Sequence, residues 1–154
     1  MKINTKIFFI ASFLLLHLVS CQTKKIITYG KYENLDIAKK KEVDENLKDV
    51  LAHLAKKENE IVLLFQYNCF YNKKLNINNK YSLDFPKDLN HDHSGQKFKL
   101  VKKEEGHIKI DVSDGKHFLI KQKKGFDYIG VCYYEKENKL YVEYFDYPRI
   151  LVTE

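Results

Sequence analysis

From residue 61 onward apolar side chains recur at every second position, and this alternation constrains the fold more than any other feature of the chain. HIKIDV at 107–112 is its clearest stretch. Ile108, Ile110 and Val112 point one way and His107, Lys109 and Asp111 the other, as the two-residue repeat of a strand requires. Asp114-Gly115 is a hairpin pair, and KHFLIKQ (116–122) follows it. By the pairing about that turn His107 lies near the open end and His117 near the closed end, so both read as ordinary strand residues. IVLLFQY (61–67) starts apolar on both faces, the mark of a covered central strand. LNI (75–77) and YSL (81–83) flank Asn78-Asn79, residues that tolerate left-handed φ. Lys97 to Val101, DYIGVCYY (127–134) and KLYVEYF (139–145) bring the candidate segments to eight, and six or seven strands are expected from them.

One segment keeps a different period. Val43, Leu47, Val50, Leu51 and Leu54 form a single apolar stripe at helical spacing. Asp36 suits the N-cap, and Lys56 and Lys57 suit the last turn, where cations favour the helix dipole. The fold class is therefore α+β, mainly β. One N-terminal helix (about 36–57) packs on an antiparallel meander or sandwich of six to seven strands. Parallel βαβ units are excluded for lack of crossover helices.

The N-terminus is of another kind. Lys2 and Lys6 precede an apolar run from Ile7 to Leu16. At about ten residues the run is half of what crosses a bilayer and fits the apolar region of a signal peptide. It ends in Leu18-Val19-Ser20-Cys21, which resembles the lipobox of bacterial lipoproteins. The resemblance implies a diacylglyceryl thioether on Cys21, cleavage before it and acylation of the new amino terminus. Residues 1–20 then read as signal peptide, 21–35 as a lipidated tether with IITY (26–29) of strand composition inside it, and 36–154 as one globular domain. Gln22, in place of Asp, points to the outer membrane, periplasmic face. Phe70-Tyr71-Asn72, LNINNK at 75–80 and the paired late strands with Tyr128, Ile129 and Tyr144 also resemble small bacterial lipoproteins with a compact β-domain. That likeness transfers no activity.

Lys2 and Lys6 leave with the signal, so 27 basic side chains fall to 25 against 21 acids. A modest excess of lysine on an exported chain argues against nucleic acid as partner; anionic lipid head groups or anionic glycans fit better, and a solvated lysine-rich face accounts for it with no partner at all. Cys69 and Cys132 remain beside the anchor. They are either two thiols packed as small hydrophobes or a disulfide, which would stabilise by about 4 kcal/mol in the entropic model.

Candidate chemistry is sparse. His91-Asp92-His93, with Asp84 and Asp88 upstream, could ligate Zn²⁺ or Cu²⁺, but His91 and His93 stand in a turn-rich loop with no spaced ligand quartet. No nucleophile motif or phosphate loop is present, and no cofactor is implied. The aromatics are the remaining signal. If Ile129, Val131 and Tyr133 face the core, Tyr128, Cys132 and Tyr134 lie on the other face. Leu140, Val142 and Tyr144 likewise oppose Tyr141, Glu143 and Phe145. Either a second layer covers that face or it is a binding surface of Tyr128, Tyr134, Tyr141 and Phe145. The expected function is a lipid-anchored, non-enzymatic envelope module that binds a protein or glycan. The alternatives are an immunity or inhibitor lipoprotein against an envelope-acting toxin or hydrolase, and a metal-binding protein or hydrolase built on the 84–93 loop.

Overall fold

The computed structural model describes residues 23–87, 95–104 and 106–149, without the side chains of residues 46 and 48–53. The chain is mainly β, with one helix. Its elements in order are β1 (Lys24–Gly30), α1 (Ile37–Leu54), β2 (Glu60–Gln66), β3 (Lys74–Ile77), β4 (Tyr81–Asp84), β5 (Gln96–Lys102), β6 (His107–Val112), β7 (His117–Lys121), β8 (Tyr128–Tyr134) and β9 (Lys139–Phe145).

Two sheets form. One has the strand order β1-β9-β8-β2-β5, the other β4-β3-β6-β7. The alternation decides which residues meet between them. Leu63 and Phe65, Ile129 and Val131, and Val142 and Tyr144 form the inner face of the first sheet. They pack in one cluster with Leu75, Ile77, Ile108, Ile110, Phe118 and Ile120 of the second. No polar side chain is buried among the described residues. Three tyrosines are buried, Tyr128, Tyr133 and Tyr144, and Tyr144 is the most enclosed. Its hydroxyl donates to the Lys121 carbonyl at 2.6 Å, so the only polar atom it carries inward is paired.

The turns follow their residues. Asn78 and Asn79 both take positive φ (51° and 54°) and join β3 to β4. Gly115, at φ 88°, turns the β6–β7 hairpin. Asp36 caps α1 through its carboxylate, which accepts the Lys39 amide at 2.8 Å. The helix ends earlier than expected, at Leu54, where Ala55 takes φ 42°. Lys56 leaves the helix end altogether and reaches Asp127 at 2.9 Å.

Two expectations change. Residues 24–30 are not part of a tether: they pair along their whole length with β9, in parallel, as an edge strand. Nor is the first sheet an antiparallel meander, because β2 also runs parallel to β8. The exclusion concerned βαβ units with their crossover helices, and no described α-helix lies between β2 and β8. Here β5 and the entire second sheet carry the chain from β2 back to β8, so strands make the crossover.

Candidate functional site

The outer face of the five-stranded sheet is where packing leaves something over. Its residues follow from register. Tyr128, Gly130, Cys132 and Tyr134 of β8 lie beside Phe145, Glu143, Tyr141 and Lys139 of β9. On the other side of β8, Val62 and Leu64 lie beside Tyr128 and Gly130.

One half of this face is covered. Leu54, from the end of α1, packs with Val62, Leu64, Tyr128 and Phe145, and Leu100 and Tyr147 close the cluster. Tyr128 and Phe145 are 7% and 6% exposed. They are therefore layer-filling residues, and the sequence expectation that they present a binding surface is corrected.

The other half is open. A groove of about 550 Å³ is lined by Leu64, Gly130, Cys132, Tyr134, Tyr141 and Glu143, with Gln66 and Gln96 on one flank and Arg149 near Phe145. Gly130 makes its floor low. A methyl group there would stand 3.4 Å from a Glu143 carboxylate oxygen, so the missing side chain is space, not strain. Tyr134 is 41% exposed and meets Tyr141 edge to face at 5.4 Å, which makes a rigid aromatic corner. Glu143 accepts from Arg149 at 3.3 Å, while the Arg149 guanidinium lies 5.0 Å from the Phe145 ring centre. The Gln96 amide nitrogen is buried in the flank with no hydrogen-bond partner, an uncompensated donor beside the groove. Aromatic walls with a few amides, the Glu143–Arg149 pair and the Glu137 carboxylate can hold a polar ligand or an interface side chain. Nothing in this set is arranged as nucleophile and base.

Cys69 and Cys132 are joined as a disulfide, with their Cα atoms 5.1 Å apart. Cys69 sits in the 3-10 turn Tyr67–Cys69, just past the end of β2. The hydrogen-bonded pairing of β2 with β8 ends at Phe65–Val131. The disulfide ties the same two segments beyond that point and forms part of the groove wall.

The other sequence candidates do not gather. His117 Nδ1 bonds Asp111 at 2.8 Å, and His107 pairs with Lys121 at the far end of the hairpin. Asp84 pairs with Lys74 at 3.7 Å. Cys21, Asp88, His91 and His93 lie outside the described residues. Among the described residues no three His, Cys, Asp or Glu side chains cluster as metal ligands. No described helix is long and apolar enough to cross a membrane. Sequence reasoning found Tyr134, Tyr141 and Cys132 but missed Gly130, Gln66, Gln96 and Arg149. The signal for Gly130 was present, a glycine inside an otherwise bulky strand. The chain matches no family model, no curated protein and no solved structure.

Proposed function

We propose that this protein is an exported lipoprotein, held at the cell envelope through Cys21, whose β-sandwich is a non-enzymatic binding module. The observation that carries the binding reading is the half-open outer face. The same sheet that is sealed over Tyr128 and Phe145 is left as an aromatic and amide-lined groove around Tyr134 and Tyr141. The Cys69–Cys132 disulfide supports export, since such bonds persist in oxidising compartments.

Anchoring at Cys21 has a geometric consequence. Strand β1 starts at Lys24, three residues on, so the domain stands within about 10 Å of the lipidated cysteine. The groove would then lie close to the membrane, suited to a partner embedded in or bound to the envelope.

The test uses the full chain in its own envelope. Cys21→Ala should move the protein from the membrane to the soluble fraction. Crosslinking capture should recover one envelope component that is lost with Tyr134→Ala and with Gly130→Val, which fills the groove floor. A component that survives both changes places the binding site elsewhere. A captured toxin or hydrolase would establish the immunity reading instead.

A further inference from the structure

The end of the sandwich remote from the start of β1 gathers three twin-lysine pairs from three separate loops. Lys56-Lys57 follows α1, Lys102-Lys103 closes β5, and Lys123-Lys124 lies between β7 and β8. Register brings them together. Glu60 pairs with Lys102, and Val62 pairs with Tyr128, next to Asp127. Across the sandwich, His107 pairs with Lys121 at the same end.

The loops are tied to one another. Asp127 accepts from Lys56 at 2.9 Å and from Lys103 at 2.7 Å, so one carboxylate holds two of the three pairs. The Lys103 amide donates to the Asn59 carbonyl at 2.8 Å, and the Glu104 amide to the Gln122 side chain at 3.3 Å. Glu104 is itself matched by Lys80 at 2.9 Å. That leaves Lys57, Lys102, Lys121, Lys123 and Lys124 with no ion pair among the described residues, and the described acids at this end that also have none are Glu58, Glu60 and Asp146. At the opposite end Lys73, Lys74 and Lys139 are each bound to a carboxylate, and Lys24, Lys116 and Lys136, which no carboxylate holds, are not grouped in facing twin pairs.

We infer that this lysine end is a docking surface for a linear, hydrophilic polyanion, namely an acidic polysaccharide carrying repeated carboxylate groups. The loops that carry the charges are braced against one another, so little backbone ordering is needed when the partner arrives. No large apolar side chain is exposed in these loops: the exposed ones are Ile27, Tyr29, Ile37, Tyr71, Phe98, Leu119 and Tyr134, all elsewhere. A lipid surface takes up inserted apolar residues, and a protein interface needs an apolar centre. Neither is offered here. The three loops carry no arginine, and their one aromatic, Phe126, is half-buried with its ring against Tyr29 and Tyr144, which disfavours nucleic acid. Lysine ammonium groups are point charges that meet spaced carboxylates without bidentate geometry.

The inference does not depend on the groove. The experiment measures binding of the purified full chain, in neutral detergent, to a fluorescent polygalacturonate oligomer across salt concentrations. Saturable binding that weakens steeply with salt is expected. Lys57→Glu, Lys102→Glu and Lys124→Glu together should lower affinity at least about tenfold. Lys24→Glu, Lys74→Glu and Lys136→Glu, the same charge change at the other end, should alter it less than about twofold. Matching Lys→Gln triples control for folding, with unchanged far-ultraviolet dichroism. Equal losses from the two ends would show a response to net charge alone and overturn the assignment. So would the absence of saturation at low salt, or tighter binding to a DNA duplex than to the polyuronate at equal salt.

Discussion

The two faces of the five-stranded sheet are built from the same alternating strands but to different ends. The inner face is sealed by a second sheet: Phe65, Ile129 and Tyr144 have at most 1% exposure, and the tyrosine hydroxyl is satisfied. The outer face is sealed only where α1 ends and the chain turns after β9, and beyond that cover lie Tyr134 and Phe98, both over 40% exposed. A hydrophobic residue therefore means different things one position apart along β8. Inside it is structure, and outside its meaning depends on how far the cover extends.

The contrast can be broken most directly by large-to-small changes. Phe65→Ala should destabilise by about 3–5 kcal/mol, because it opens a cavity among Phe70, Phe85 and the second sheet. Phe98→Ala, on the open part of the outer face, should cost under about 1 kcal/mol. Denaturant unfolding of both variants measures the ratio. Comparable losses would mean that the outer face is packed as tightly as the inner one.

Removing the disulfide comes next. Its 63-residue separation sets an entropic contribution of about 4 kcal/mol. Measured losses for Cys69→Ser with Cys132→Ser should fall at about 2–4 kcal/mol. The double variant should also lose groove binding more readily than core order, because the bond anchors the groove wall beyond the β2–β8 ladder. Amide hydrogen exchange can separate the two: protection near Val131 to Tyr134 should fall before protection in β6 and β7. Uniform loss would show that the bond braces the whole sandwich.

How much of this was legible in the chain depends on the range of the interaction. The alternation in β6 and β7, the Asn78-Asn79 and Asp114-Gly115 turns and the Asp36 cap are local, and each stands where its residues require. Which face of β8 turns inward was also readable, since Ile129 and Val131 outweigh Gly130 and Cys132 in apolar bulk. What could not be read was pairing between distant segments. KKIITYG has the composition of a strand, but only its parallel partner β9, over a hundred residues away, turns it from tether into sheet. The cover over Tyr128 and Phe145 needs Leu54 and Tyr147, residues that no spacing rule links to them. The lysine end is a third case: three pairs far apart in sequence become one surface only through the ladder registers.

Alkaline titration sharpens the inner side of the comparison. Burial, with Tyr29 stacked on its ring at 5.3 Å, raises the Tyr144 hydroxyl from its ordinary 10 to about 12. A group whose folded value is raised contributes stability that is whole below the unfolded value and lost as pH climbs through the folded one. The wild-type protein should therefore lose stability from about pH 10 toward 12. Tyr144→Phe sacrifices the hydrogen bond to the Lys121 carbonyl and should be less stable at pH 7 by about 1 kcal/mol. The gap should narrow across the alkaline window, because phenylalanine has no proton to lose. Melting curves at pH 7, 10 and 11 for the two proteins test this, and parallel declines would locate the alkaline response in other tyrosines or in the lysines.

The smallest effect is the most discriminating for the outer face. Gly130 does not take a positive φ, and an added methyl group would meet the Glu143 carboxylate at 3.4 Å, its Cβ at 3.6 Å and the edge of the Phe145 ring at 3.7 Å, all ordinary contact distances. In a packed interior such an addition strains its neighbours. On an open floor it should be neutral or stabilise by up to about 1 kcal/mol, through the lost flexibility of the unfolded chain. Gly130→Ala therefore reports whether this part of the sheet is a site or a core. A Tm equal to or above the wild type, with weaker capture of the partner, is the outcome an open groove requires. A lower Tm would mean that the space beside Gly130 is already filled, and that the outer face is sealed along its whole length as the inner one is.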